Sequence, residues 1–367
     1  MQEYLTDDFQ KRLSIINMPR KESRYFFFRM ACPLMQIRLS QLLDLGQIPK
    51  TFLHGNPHID NYVKTFTGSA MLDFDRSRVG PYCWDIIRFF ISLSLRREDE
   101  DGFLDDEVIE HFVDAYITHY MHPEIPSKQL RLLKSIEPEK WQLTTKDYLK
   151  ANKKWAKKMR DHAIDPKNPQ VGELLRHFIE ARGKGNLLND YRIDEVGLVA
   201  GSFGKLHYIF SLMPINADSH KDPIMLDIKE VYEEIDNKFF YSPTPHHGER
   251  MILASKIFAD GLEEKLGSFT YQDKQFWGRQ VPSFSAKVKK YLDVEEQVDF
   301  AYTVGSELGK GHRKGLVDPS HPEQIEKDFT DHFDKYVKIA TFMTYEFDLA
   351  FEALKRQIQL NKKFRVW

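Results

Sequence analysis

The hydrophobic pattern of this 367-residue chain changes near residue 192, and that change sets its fold class. Up to there apolar residues recur at three- and four-residue steps, as in Phe27, Met30, Leu34 and Ile37, the spacing of a helix face. Residues 3 to 45 read as helix broken near Pro19, Pro81 starts a helix running to about Leu95, and Asp105 opens another that reaches Tyr120. From residue 192 the sequence runs RIDEVGLVAGSFGKLHYIFSLM and, after a loop, DPIMLDIKEV. Its wealth of Val, Ile, Phe and Tyr predicts a three-stranded antiparallel meander. A helix beginning near Gly248 and a strand at Gln275 to Val281 follow. From Val294 the helical period returns, breaks at Asp318 to Pro322, and continues in a long helix from about Pro322 to Lys362. The expected class is α+β, mostly helical, with a small antiparallel sheet around residues 192–281. Three parts follow from it: a helical part over 1–190, a β-rich part over 191–285, and helices over 286–367 that return to the first.

Composition narrows the function classes. A hydrophobic fraction of 41% beside 29% charged residues is that of an ordinary globular protein, and a net charge of −2 gives no field that would draw nucleic acid. The basic run Lys153, Lys154, Lys157, Lys158 and Arg160 reads as a solvated helix face. Two cysteines, Cys32 and Cys83, make neither a disulfide framework nor a zinc site. The segment MQEYLTDDFQKRL is polar where a signal peptide would be apolar, and the most apolar stretch, around Ile86 to Leu95, is interrupted by Arg88. A cytoplasmic protein without membrane insertion is expected. Residues 125 to 183 are polar and helix-rich and suggest no task.

The segment HGNPHIDN, followed by LDFD, carries the most chemistry. Phosphoryl transfer asks a protein mainly to position metal ions and a nucleophile. A loop ending in Asn and a strand end bearing Asp supply the oxygen ligands that Mg²⁺ prefers. His54, Gly55, position 56 and Asn61 have the spacing of the H-G-D-x-x-x-x-N loop of aminoglycoside-phosphotransferase-like kinases, and Leu72, Asp73 and Phe74 resemble the D-F-G segment. That resemblance makes Asn61 and Asp73 metal ligands and Asp85, in CWDIIRF, a brace for the loop, with Arg88 as further support. Asn56 stands where the catalytic base belongs, and an amide does not accept a proton as a carboxylate does. His54, Asn56, Asp60 and Asp75 are the catalytic candidates, Asp60 or Asp75 as substitute base. The plainer reading is a polar turn and an acidic residue in a helix's first turn.

VAGSFGKLHYIF resembles the glycine-rich phosphate loop of kinases, with Gly201, Ser202 and Gly204 as candidates and Val199 in place of the first glycine. Val199 is expected to crowd that loop. Lys229, in MLDIKEV, lies 25 residues beyond Gly204, where a phosphate-pairing Lys belongs. A buried Lys needs an anionic partner. Glu249, in HHGERMILASKIF, is the first candidate, with Glu230 or Glu233 behind it. The plainer reading is a β-hairpin with a surface Lys.

The catalytic-loop motif begins at 54 and the glycine loop near 199, the reverse of ordinary kinases. A circularly permuted, protein-kinase-like two-lobed fold accounts for that order. The chain also resembles, over roughly residues 24 to 355, the bacterial family catalogued as domain of unknown function 2252. The matching residues are Gly55, His58 and Asn61; Asp73, Phe74 and Asp75; Gly80, Pro81, Trp84, Asp85 and Arg88. Further on they are Gly201, Ser202, Gly204, Lys229, Glu230, Gly248, Arg250, Arg279 and Gln280, and the segment GSELGKGH from Gly305 to His312. Asn56 departs from the family's Asp.

Four functions fit these motifs. The first is a phosphotransferase using ATP, or another nucleoside triphosphate, with Mg²⁺ or Mn²⁺, on a small-molecule or protein acceptor. The second is a nucleotide-binding pseudokinase with a regulatory or scaffold role, the third AMP transfer, and the fourth a metal-dependent hydrolase using His54, His58, Asp73 and Asp75.

Overall fold

The computed structural model describes residues 20–65, 68–97, 104–127, 131, 157, 159–200, 205–216, 221–233, 235–262, 264–281, 286–287 and 291–364. Gly201, Ser202 and Gly204 lie outside the described residues, as do Lys153, Lys154 and Lys158 and the part of the N-terminal helical reading before Arg20. In chain order the elements are α1 (Arg20–Met30), α2 (Cys32–Leu42), β1 (Lys50–Leu53), β2 (Tyr62–Thr65), β3 (Gly68–Met71), β4 (Arg78–Pro81), α3 (Cys83–Ser94), α4 (Asp106–Met121), β5 (Ala163–Ile164), α5 (Pro169–Ala181), β6 (Tyr191–Ala200), β7 (Leu206–Pro214), β8 (Ile224–Glu230), α6 (His247–Phe258), β9 (Gly267–Tyr271), β10 (Lys274–Gln280), β11 (Ala286–Lys287), α7 (Val294–Lys314) and α8 (Glu323–Phe364). The class is α+β. None of the described helices is long and apolar enough to cross a membrane.

The chain divides into two compact units. One comprises Met1–Asn61, Gly80–Leu132 and Val288–Trp367; the other comprises Tyr62–Val79 and Leu133–Lys287. A boundary at residue 190 is therefore not where the chain divides. Helix α5 and the LDFD segment belong with the sheet, and for α5 the reason is apolar burial: its Val171, Leu174, Leu175 and Phe178 form one core with Phe210, Leu226, Ile228 and Phe276 of the strands.

In the helical unit, α3 is buried on every side from Cys83 to Leu93. Its Phe89 and Phe90 meet Phe112 of α4, with ring centroids 5.6 and 4.8 Å apart. Helix α7 starts on a capping box in which Asp293 and Glu296 each accept the other's backbone N–H. Along α7, Gly305 and Gly309 face α4 one turn apart. A Cβ on Gly309 would lie 2.4 Å from the Tyr116 carbonyl oxygen, and one on Gly305 would lie 2.6 Å from that of Phe112. Any larger residue there forces the two helices apart.

In the sheet unit, six strands lie in the order β5-β6-β7-β8-β10-β9, and β11-β2-β3 form a separate three-stranded sheet. The meander expected over 192–231 corresponds to β6, β7 and β8, antiparallel throughout. Period-2 alternation then assigns two faces. Even-numbered residues such as Phe210, Leu226, Ile228 and Phe276 face α5. Ile209, Met225 and Val281 face the other way and pack with Met159 and Val199. Val199 thus has an apolar duty on this face of the sheet.

Gly309→Ala is expected to destabilise the protein by about 1–3 kcal/mol through overpacking. Gly172→Ala in α5, where a Cβ meets nothing within 4 Å, is expected to be neutral or to stabilise by up to about 1 kcal/mol. Urea unfolding of the two variants checks both signs.

Candidate functional site

The His54–Asn61 loop, in the helical unit, is held from the first turn of α3. Asp85 Oδ2 accepts the His54 N–H at 2.8 Å, and Oδ1 accepts that of Gly55 at 2.9 Å. Asp85 Oδ2 is also 3.3 Å from His312 Nε2, whose Nδ1 meets the Tyr116 hydroxyl at 2.9 Å. Gly55 has φ +84°, a conformation a side chain disfavours, and its carbonyl accepts the indole N–H of Trp84 at 2.8 Å. His312, without a sequence-derived role, is thus the third contact on the buried Asp85 carboxylate.

Position 56 is enclosed. Arg88 is fully buried; its Nε donates to Asn56 Oδ1 at 2.9 Å, its Nη2 donates to the Phe28 carbonyl at 2.8 Å, and the guanidinium lies 3.5 Å from the Phe28 ring centroid. The Asn56 carbonyl accepts Asn61 Nδ2 at 3.2 Å. Asp60, weighed as a substitute base, is engaged with Arg96 at 3.1 Å and Arg29 at 3.6 Å. His54 is buried, and its Nδ1 lies 3.4 Å from the Asn56 amide nitrogen. These candidates form a packed loop whose polar groups are mostly spent on Asp85, Arg88 and Arg96.

The sheet unit gathers the other candidates. Asp73 leaves β3 with φ +73°, a left-handed conformation that is costly for a residue with a side chain and that clusters at functional sites. Its carboxyl acts electrostatically on that of Asp75, two residues on. Burial first, then the charge of Asp73, raises the Asp75 carboxyl above its ordinary range, against the opposing pull of Lys229 and Arg250. The turn after Asp73 is clamped by Arg250, which is buried in α6. Its Nη1 donates to the carbonyls of Phe74 (3.4 Å), Asp75 (3.2 Å) and Ser77, and its Nη2 donates to that of Tyr232 at 3.1 Å.

Lys229, on β8, lies within electrostatic reach of this pair, but Glu249 does not accompany it. Glu249 is exposed on the first turn of α6, and the anion beside Lys229 Nζ is Asp227, two residues back on the same strand and 3.6 Å away. The correction follows from geometry: residues i and i+2 of a strand share a face. The two alternative partners are also excluded, since Glu233 is exposed and Glu230 holds Lys205 at 3.0 Å and Lys274 at 3.3 Å. Burial would raise Asp227, but Lys229, His207 and Arg279 outweigh it and hold the carboxylate well below its ordinary range. His207 Nε2 is hydrogen-bonded to Asp227 Oδ1, and Arg279 Nε lies 3.6 Å from Oδ2. For Lys229, burial pulls downward, yet Asp227 and Asp75 prevail and keep the ammonium charged.

No group of three or more His, Cys, Asp and Glu able to hold a metal ion occurs among the described residues.

With its pKa raised by folding, Asp75 contributes stability fully present below the ordinary carboxylate range and lost as pH rises through its folded value. Asp75→Asn is therefore expected to unfold at a higher urea concentration than wild type at about pH 7, with the difference gone near pH 3. Unfolding curves at both pH values check this.

Comparison with known families gives a match to the one described as "Uncharacterized protein conserved in bacteria (DUF2252)", over residues 15–190 and 186–348. Neither curated proteins nor solved structures give a match.

Proposed function

The chain belongs to this uncharacterized bacterial family, and we propose that it is an ATP- and Mg²⁺-dependent, kinase-like phosphotransferase whose nucleotide-handling residues lie on the sheet unit. The observation that carries the proposal is that Lys229, whose Nζ stands 3.6 Å from the Asp227 carboxylate, also lies within electrostatic reach of Asp73 and Asp75. Mg²⁺ demands oxygen ligands, keeps several waters, and is commonly held through one or two carboxylates together with substrate phosphates. Asp73 and Asp75 would hold it, and Lys229 would meet the phosphates. Gly201, Ser202 and Gly204 keep their sequence-derived place in the phosphate loop. When bound, the metal supplies neutralisation of charge on the transferring phosphoryl group.

The chain's own residues account for the rest. Asp227 fixes where the Lys229 ammonium points and keeps it protonated. Arg250 holds the backbone of residues 74–77, and with it the spacing of the two carboxylates. The acceptor, a small molecule or a protein, is unspecified by this geometry.

A second reading, nucleotide binding without transfer, is favoured by Asn56. Its side-chain oxygen is committed to Arg88, and an amide takes no proton. Calorimetric titration separates the possibilities. MgATP is expected to bind the wild type, to bind Lys229→Met at least about tenfold more weakly, and to lose its Mg²⁺ dependence in Asp73→Asn. No binding of ATP or GTP by the wild type sinks both readings. Transfer activity that appears or rises in Asn56→Asp supports the phosphotransferase, whereas binding with no transfer in either form supports the second reading.

A further inference from the structure

Helix α8 has two apolar faces, and only one of them is covered. Phe347, Phe351 and Leu354 are buried, and the first two meet the Phe27 ring with centroids 5.0 and 5.9 Å apart. Phe342, Tyr345 and Leu349 turn the other way and stand 44%, 62% and 56% exposed. Their three- and four-residue spacing makes one stripe, the seam pattern of paired helices. Ile37 of α2 extends it: that side chain is exposed, and its neighbour Arg38 lies over the Phe342 ring at 5.8 Å. The charges flanking the stripe are paired within the chain, Glu346 with Arg38 at 2.7 Å and Asp348 with Arg24 at 2.5 Å. The apolar side chains are therefore what a partner would cover. Small-molecule sites are concave, whereas a stripe on a helix is a convex ridge, and such a ridge bounded by charged residues marks a protein contact.

The order of charges along the same face identifies the partner. In steps of three or four residues the face runs Asp334, Lys338, the three apolar residues, Glu352 and Arg356. Asp334 and Arg356 lie equally far from Tyr345 on either side, and so do Lys338 and Glu352. A second copy of the helix laid antiparallel about Tyr345 therefore sets Asp334 against the partner's Arg356 and Lys338 against the partner's Glu352. Two-fold symmetry makes each of these contacts twice. A parallel copy would set like charge against like, which is unfavourable. We infer that the protein forms a two-fold symmetric dimer in which the α8 helices pack antiparallel, Tyr345 beside the partner's Tyr345, along about 33 Å of helix. Glu352 also stands 3.8 Å from Lys355 of its own helix, so the outer pair, Asp334 and Arg356, gives the cleaner test.

Sedimentation equilibrium of the full chain tests this. At about 0.1 mM the wild type is expected to show twice the mass of one chain. Tyr345→Glu, which sets two carboxylates against each other at the symmetry axis, is expected to leave monomer alone. Asp334→Lys and Arg356→Glu each turn two attractions into two repulsions, and each is expected to raise the dissociation constant about tenfold. The variant carrying both substitutions exchanges the charges and is expected to return to near the wild-type value. These side chains are exposed, and circular dichroism checks that each variant is folded. Should Tyr345→Glu fail to fold, the charge-exchange series carries the test. A wild type that is monomeric at this concentration overturns the inference and leaves the stripe to a different partner. A dimer that survives Tyr345→Glu overturns it too, by placing the interface elsewhere. A double variant that associates no more tightly than the single ones overturns the antiparallel arrangement.

Discussion

A carboxylate inside a β-sheet survives only where cations surround it, and Asp227 imposes that condition on the site face of its unit. Removing its charge from water costs several kcal/mol by itself, about as much as a domain's whole margin of stability allows. Lys229, His207 and Arg279 offset that cost from three adjacent strands. The result is a fixed row of polar side chains on a face otherwise lined by Ile209, Met225 and Val281. Because the row is held by strand register, its spacing is as rigid as the ladder beneath it. Asp73 and Asp75 lie within electrostatic reach of Lys229, and the turn that bears them is anchored through the carbonyl contacts of Arg250.

The helical unit depends on a similar device with a different purpose. Asp85 is fully buried and spends its oxygens on the backbone of His54 and Gly55 and on His312. The close approach of α4 and α7, permitted by Gly305 and Gly309, sets Tyr116 against His312 and so carries the contact outward. Here the buried charge fixes a loop instead of presenting side chains, and Asn56 is absorbed into it by Arg88.

Much of this was legible in the sequence, for identifiable reasons. The switch of hydrophobic period marked the sheet, and the short strand before each motif exposed the two acidic clusters. Spacing identifies Lys229, and the expected helix-borne partner gives way to Asp227, which LDIK at period 2 places on the same face. Helical spacing also separated the α6 residues: Arg250 lies with Met251 and Ala254 on the buried side, which leaves Glu249 in solvent. The hairpin strand β9 and the membership of α5 in the sheet unit were not legible. Both depend on which surfaces pack together, as with Phe178 against Gly278, where a Cβ would come within 2.7 Å of the ring.

The central claim is that Asp73, Asp75 and Lys229 jointly hold a metal–nucleotide complex. A crystal structure grown with Mn²⁺ and a non-hydrolysable ATP analogue, with the metal located by its anomalous signal, tests it most directly. The account predicts manganese ligated by the carboxylates of Asp73 and Asp75, with a phosphate oxygen within hydrogen-bond reach of Lys229 Nζ. Manganese bound elsewhere, or a nucleotide whose phosphates lie away from Lys229, would contradict it.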